Sequence, residues 1–188
     1  LIENGIDLPQ PSSSADQRLT RVIKIIYFGR LSPNKNLDRL ISIFNKLANA
    51  EKQLYLVGKG KADYQEELIQ LIQNPHIHYL GYLDDQKLHK LLGKMHYFIS
   101  LTEYEGFGMA VVEAMGMGLV PIVYNISPFK DYLNNQTNCH LIPRGEEVHQ
   151  IREIIASHSE TYSEMAKNAY LLAQRYSWDQ KKYEYTQL

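Results

Sequence analysis

Residues 103–118, "EYEGFGMAVVEAMGMG", hold two carboxylates eight positions apart, Glu105 and Glu113. Between them stands the glycine pair of Gly106-Phe107-Gly108-Met109. Glycines at a strand-to-helix junction let the backbone approach a ligand closely. The unpaired amides of a first helical turn, together with the helix dipole, favour a phosphate there. A tight packing turn is the plain alternative for these glycines. If most of the interval is helix, the two carboxylates stand about 12 Å apart along its axis. A nucleoside diphosphate sugar is long enough to reach both, with its diphosphate over the helix start. Glu113 sits between Val112 and Ala114, where an unpaired charge is costly. Vicinal ribose hydroxyls would donate to it, and an ion pair with a neighbouring Lys or Arg would serve equally. Arg30 and Lys35 offer a fork and a point charge for phosphate oxygens, or are two solvated loop cations.

The elements that must position these groups alternate. Strands are expected over 22–29, 53–60, 77–83, 97–102, 119–125 and 139–143, from their β-branched and aromatic content and their flanking glycines. Helical spacing of apolar residues marks 37–49, and helices are expected over 62–73, 84–94, 128–134, 146–158 and 160–176. A further helix is expected to open at the quoted stretch itself. Asp84 and Asp85 suit a helix N-terminus, and Ser177 suits the N-cap of a last helix. Short apolar strands joined by crossover helices imply a parallel sheet covered on both faces. Right-handed crossovers then make an α/β, Rossmann-like, doubly wound sheet of about six strands. Ligands in such sheets lie beyond the carboxyl ends of the strands. Arg30 and Lys35, Gly58 to Lys61, and Glu105 to Met109 all fall there.

Composition narrows the classes. The chain has 188 residues, enough for one core, with a formal net charge of −1 and 44% hydrophobic residues. No basic surplus points to nucleic acid. The single cysteine, Cys139, has no zinc spacing around it and reads as a small core residue. No run is long and apolar enough to span a bilayer, and the opening residues do not read as a signal peptide. The chain starts at "LIENGIDLP" without an initiator Met, which suggests a piece of a longer protein. "GFGMAV" fails as a dinucleotide fingerprint, because Val111 replaces the third small residue and no acidic residue ends the next strand. "VGKGKAD" lacks P-loop spacing. The seven histidines form no HExxH or shared metal-ligand spacing, so His76, His78, His89 and His96 read as ordinary loop, strand or surface residues.

The ordered set of segments resembles the donor-binding domain of a retaining glycosyltransferase of the GT-B fold, family 4. "IENGID", "YFGRLSPNKNLDRLI", "LYLVGKG", "IHYLGYLDDQKLHKLL", "EGFGMAVVEAMGMGLVPIV" and "YSWDQKKYEY" carry the likeness across nearly the whole chain. The Glu-x7-Glu pattern is its centre. The resemblance implies the C-terminal half of a GT-B fold, with 1–20 as interdomain linker, 21–176 as the Rossmann-like donor domain and 177–188 as a closing helix. It implies that Glu105, Arg30 and Lys35 are catalytic. Glu105 would contact donor sugar hydroxyls near the reacting carbon, and the two cations would bind the diphosphate and stabilise the leaving group. Glu113 would hold the ribose, and Gly106, Phe107, Gly108 and Met109 would line the sugar and phosphate. Gly58 would shape the floor, with Tyr82 and Leu83 near the base.

The implied donor is a UDP- or GDP-linked sugar, with no cofactor and no metal, and the implied acceptor is a glycan or lipid-linked glycan of polysaccharide biosynthesis. The implied partner is the N-terminal acceptor domain of the same full-length protein. Without it the fragment would transfer little or nothing. Nucleic acid is not an implied partner. A cytoplasmic location follows, peripheral at the inner membrane face only through the missing half. Two departures stand out. "NISPFKDYL" replaces a Gly-Gly-x-x-Glu segment, and Lys59 stands where an acidic residue is frequent. The rival readings are a GT-B-fold sugar-nucleotide epimerase, a non-catalytic nucleotide-sugar-binding module and a nicotinamide-dependent oxidoreductase.

Overall fold

The computed structural model describes Leu8 and residues 21–178. The expected linker over 1–20, Leu8 aside, and all but the first two residues of the expected closing helix lie outside them.

Six strands form one sheet: β1 (Ile23–Phe28), β2 (Lys52–Val57), β3 (Ile77–Gly81), β4 (Tyr97–Ser100), β5 (Val120–Tyr124) and β6 (His140–Ile142). The order is β3-β2-β1-β4-β5-β6 and all five pairings are parallel. The chain therefore moves outward from β1 in one direction, returns, and moves outward in the other. The reversal lies between β1 and β4, where Ile25 pairs with Tyr97 and Ile26 with Phe98. Crossovers on the two sides of that point leave it uncovered at the carboxyl ends, which makes a crevice.

Among the described residues seven α-helices follow the strands: α1 (Leu37–Leu47), α2 (Ala62–Leu71), α3 (Asp85–Leu92), α4 (Met109–Gly116), α5 (Phe129–Tyr132), α6 (Glu147–Ala156) and α7 (His158–Gln174). The period-2 alternation of each strand sorts its side chains onto two faces. Ile23, Ile25 and Tyr27 of β1 pack with Leu40, Phe44, Ile151 and Ile154 of α1 and α6. Ile26 and Phe28 pack the other way, with Leu92, Val112, Met115 and Phe129 of α3, α4 and α5. Helix α7 contributes Tyr162 and Met165 to the first layer and Ala169 and Ala173 to the second. It crosses against α4 and β5. Cys139 is wholly buried, and burial pushes its thiol up to about 12, as a small core residue should show.

Element boundaries depart from the sequence reading. Most strands and helices are trimmed by one to three residues at their ends, while β2 starts one residue and α7 two residues earlier than expected. A 3-10 turn at Pro33–Lys35 precedes α1, with Asn36 in the left-handed conformation. The helix after β4 starts at Met109, not at Glu105. Residues 101–108 are loop, because Gly108 takes φ 88° and breaks the helical run before it can begin.

His96 is also not an ordinary surface residue. It is 1% exposed, and its Nδ1 accepts the backbone N–H of Lys24 at 2.9 Å.

Candidate functional site

The crevice at the reversal is real in shape. A cavity of about 240 Å³ lies between the loops after β1 and β4 and the start of α4. Its lining includes Arg30, Lys35, Glu105, Phe107, Gly108 and Met109. A second cavity, of about 330 Å³, lies beyond β2 and is lined by Arg30, Gly58, Lys59, Tyr82, Leu83, Asp85 and Leu88. Phe28, Gly29 and Arg30 border both cavities. The loop after β1 is thus the wall shared by a smaller polar chamber and a larger, more apolar one.

The loop geometry explains why glycines stand where they do. Gly58 takes φ 149°, and a Cβ there would lie 1.9 Å from Gly29 O. The loops after β1 and β2 are joined by Gly29 N–H to Val57 O at 3.1 Å and Leu31 N–H to Lys59 O at 2.9 Å. At Gly108, a Cβ would meet Phe129 Cε1 at 2.5 Å. Gly108 is the N-cap of α4 and supplies no side chain, so no side chain accepts from the amides of the first turn. Met109, Ala110 and Val111, which open α4, line a cavity that holds two cations. An anion there would meet the helix N-terminus and the cations together.

Lys35 Nζ lies 2.6 Å from Glu105 Oε2, with both side chains largely buried. The 3-10 turn and the loop after β4 hold each other in place. Asn36 Nδ2 donates to Leu101 O at 2.9 Å, and Thr102 Oγ1 donates to Asn34 O at 3.2 Å. Arg144 reaches the same loop from beyond β6, donating to Glu103 O at 3.3 Å. Behind the loop, Phe107 stacks on Tyr132 at 5.4 Å and meets Tyr176 edge-on at 5.3 Å. Tyr132 OH donates to Phe107 O at 3.2 Å. Tyr27 OH donates to Arg30 O at 2.8 Å, which fixes the shared wall. Burial, and next the charge of Glu105, push the Tyr27 hydroxyl far above its usual range, so it stays a neutral donor.

The structure brings together Arg30, Lys35, Glu105, Phe107, Gly108 and Met109 in one chamber and Arg30, Gly58, Tyr82 and Leu83 in the other. Gly106 is not part of either lining. Glu113 lies outside both as well. Its partner is neither Lys nor Arg: His89 Nε2 stands 3.5 Å from Glu113 Oε1. Burial raises the Glu113 carboxyl above its ordinary value, His89 opposes that, and Asp85 adds to it. Because half of the Glu105–Glu113 interval is loop, the axial distance expected for a continuous helix does not apply. Tyr82 is 64% exposed, with Lys59 Nζ 4.9 Å from its ring centroid at the mouth of the larger cavity.

Residues that the sequence reading missed are Tyr27, Ser100, Ala110 and Phe129 in the first chamber and Asp85 and Leu88 in the second. The crevice rule could have found Tyr27 and Ser100, since both sit at strand ends. A larger cavity, of about 490 Å³, lies at the opposite end of the sheet against Lys46, Lys52, Glu51 and Arg152. The carboxyl-terminal turns of α1 and α6 end there, and Lys46 complements the negative end of α1. Among the described residues no cluster of three His, Cys, Asp or Glu could hold a metal ion, and no helix is long and apolar enough to cross a membrane.

The family model described as "Glycosyl transferases group 1" matches residues 12–172. A GDP-mannose:cellobiosyl-diphosphopolyprenol alpha-mannosyltransferase of Xanthomonas campestris is 30% identical over 69% of this chain, which spans 35% of that relative. The crystal structure of Anabaena Alr3699/HepE in complex with UDP and glucose superposes with a TM-score of 0.80 at 24% identity, over 99% of this chain and 55% of that one. The C-terminal domain of LpcC, a glycosyl transferase group 1 family protein of Francisella tularensis, superposes with a TM-score of 0.75 at 19% identity, over 93% of this chain and 100% of that one. The chain belongs to the glycosyl transferases group 1 family, and its fold is that of the C-terminal domain of a GT-B glycosyltransferase.

Proposed function

We propose that this chain is the donor-binding half of a retaining, metal-independent glycosyltransferase of family 4. The observation that carries the proposal is the pair of cavities sharing Arg30 across the reversal between β1 and β4. A nucleoside diphosphate sugar has a matching order of parts: base, ribose, diphosphate, sugar. The base and ribose belong in the larger chamber, between Gly58, Tyr82 and Leu83. The diphosphate crosses Arg30 and meets the amides at the start of α4. The sugar belongs beside Glu105 and Phe107.

The chemistry then follows from charge. Breaking the bond between the anomeric carbon and the phosphate oxygen places negative charge on the departing nucleoside diphosphate. On this reading Arg30, Lys35 and the first turn of α4 line the chamber where that charge would develop, which is the arrangement that lowers such a barrier. Lys35 has three N–H donors, one of which faces Glu105, so two remain for phosphate oxygens. Glu105 is left to accept from sugar hydroxyls. The acceptor, a glycan or a lipid-linked glycan, enters from the N-terminal half of the full-length protein, and this chain alone transfers little or nothing. The relatives' names put GDP-mannose first among donors to test, and the HepE complex puts UDP second.

The test is thermal unfolding of this chain with UDP, GDP, ADP, their sugar conjugates and NAD. A ligand at a hundred times its dissociation constant adds about 2.7 kcal/mol of stability. That raises Tm by roughly 5–10 °C for a chain of this size. A shift with one nucleoside diphosphate and its sugar conjugate supports the proposal. A shift with NAD alone overturns it.

A further inference from the structure

The pair His89 and Glu113 joins α3 to α4 beside the larger cavity. Asp85 and Leu88, which line that cavity, lie four and one positions before His89 on the same helix. Both side chains of the pair are partly exposed, at 33% and 28%, so the pair borders open space. Oε1 of Glu113 faces His89 Nε2, and among the described residues no hydrogen bond is recorded to Oε2. At 3.5 Å the His89 ring is a neighbour of one carboxylate oxygen that a small rotation would bring within hydrogen-bond reach, and the carboxylate keeps lone pairs open to a ligand. Vicinal hydroxyls are donors that fit such an acceptor.

We infer that His89 is a positioning residue: when the nucleotide binds, its ring N–H closes on one oxygen of the Glu113 carboxylate and orients it so that the other receives a ribose hydroxyl. The inference rests on the donor-site reading above. It adds a residue that no motif marks. The titratable groups around Glu113 oppose each other. Burial and Asp85 favour the protonated acid, and His89 favours the carboxylate. A protonated Glu113 would offer a proton where the ribose also brings one. The N–H of His89 therefore favours the form of Glu113 that accepts from the ribose. The Nε2–H tautomer, or the imidazolium, supplies that donor.

The experiment is titration calorimetry of this chain with UDP and GDP, each against its 2′-deoxy and 3′-deoxy counterparts. The wild-type chain should prefer the ribonucleotide over at least one deoxy counterpart by about ten- to a hundredfold, the effect of one hydrogen bond to a charged group. His89→Ala should weaken the ribonucleotide and leave the deoxy compound nearly unchanged, so the ratio collapses. His89→Gln keeps an N–H donor and should restore most of the ratio. An unchanged ratio in His89→Ala, or an equal loss of both ligands, overturns the inference and leaves donor binding standing. Glu113→Ala separates the two levels, since a ratio that survives it removes Glu113 from the ribose site. If neither UDP nor GDP binds the wild-type chain, the titration is run with ADP and its deoxy counterparts, and if no nucleoside diphosphate binds, the donor-site reading falls and the inference with it. Unfolding temperatures of all variants within a few degrees of wild type confirm that folding is not what was measured.

Discussion

Replacing Gly58 by alanine puts one methyl group where two loops touch. Gly58 stands at φ 149°, and the new Cβ would lie 1.9 Å from Gly29 O, 3.0 Å from Gly29 C and 3.2 Å from Leu31 Cδ2. Both Gly29 atoms are backbone, so no rotamer change relieves the contact. The loops must part by about 1 Å, because nonbonded atoms do not approach so closely. Parting them stretches the bonds from Gly29 N–H to Val57 O and from Leu31 N–H to Lys59 O. Each is worth about 1 kcal/mol net. The alanine backbone at that φ adds about 1–3 kcal/mol of strain. The total is about 3–5 kcal/mol, a large part of the roughly 5–15 kcal/mol that holds a domain together. Urea unfolding of Gly58→Ala beside wild type measures it. Gly106→Ala is the control: nothing lies within 4 Å of a Cβ there. It should fall within about 0.5 kcal/mol of wild type. The reasoning fails if Gly58→Ala is as stable as Gly106→Ala.

Other consequences are equally direct. His158 is 5% exposed, and burial, with His96 beside it, holds its imidazole down at about 4. The unfolded chain binds that proton near pH 6.5, so the stabilisation is complete above that value and is lost as pH falls through it toward 4. Urea midpoints should show a loss of about 2 kcal/mol from this residue between pH 7 and 5, and a flat profile contradicts it. Glu147 is 3% exposed; burial alone would raise its carboxyl, but Tyr124, Arg39 and the Gly145 N–H pull it down to about 2. Glu147→Ala should cost about 1–3 kcal/mol by the same assay, since it strands the buried Tyr124 hydroxyl and takes the acceptor from the Gly145 N–H. Arg30→Ala combined with Lys35→Ala should weaken nucleoside diphosphates about a hundredfold and the nucleosides hardly at all. Equal losses for the two ligand types place the phosphates elsewhere.

The sheet was legible because its signals are local. Strands such as "VIKIIYFG" carry β-branched residues on both faces, and "LDRLISIFNKL" keeps a helical period without interruption. The order of strands was not legible, since parallel strands look alike and only tertiary packing decides which neighbours pair. The start of α4 was missed for a physical reason. "EGFG" has the apolar and small content of a helix start, yet Gly108 at positive φ is a conformation, not a composition. Arg30, Lys35 and Glu105 were legible from their place after strands, and the chamber joins them. The partner of Glu113 was not. His89 lies 24 positions earlier on another helix, and no spacing rule connects residues that only the packing of α3 on α4 brings together. The same holds for Tyr27, whose hydroxyl fixes the Arg30 wall although its ring belongs to the core.

The most direct test of the central claim is a map of backbone amide shifts in this chain as the nucleoside diphosphate that stabilises it most is added. Donor binding in the two cavities predicts perturbations at Gly29, Arg30, Gly58, Lys59, Tyr82, Leu83 and at Gly108 to Ala110, on both sides of the reversal between β1 and β4. Residues of the opposite cavity, such as Lys46, Glu51 and Arg152, should stay in place. Perturbations confined to that opposite end, with the carboxyl ends of β1, β2 and β4 silent, would contradict the account.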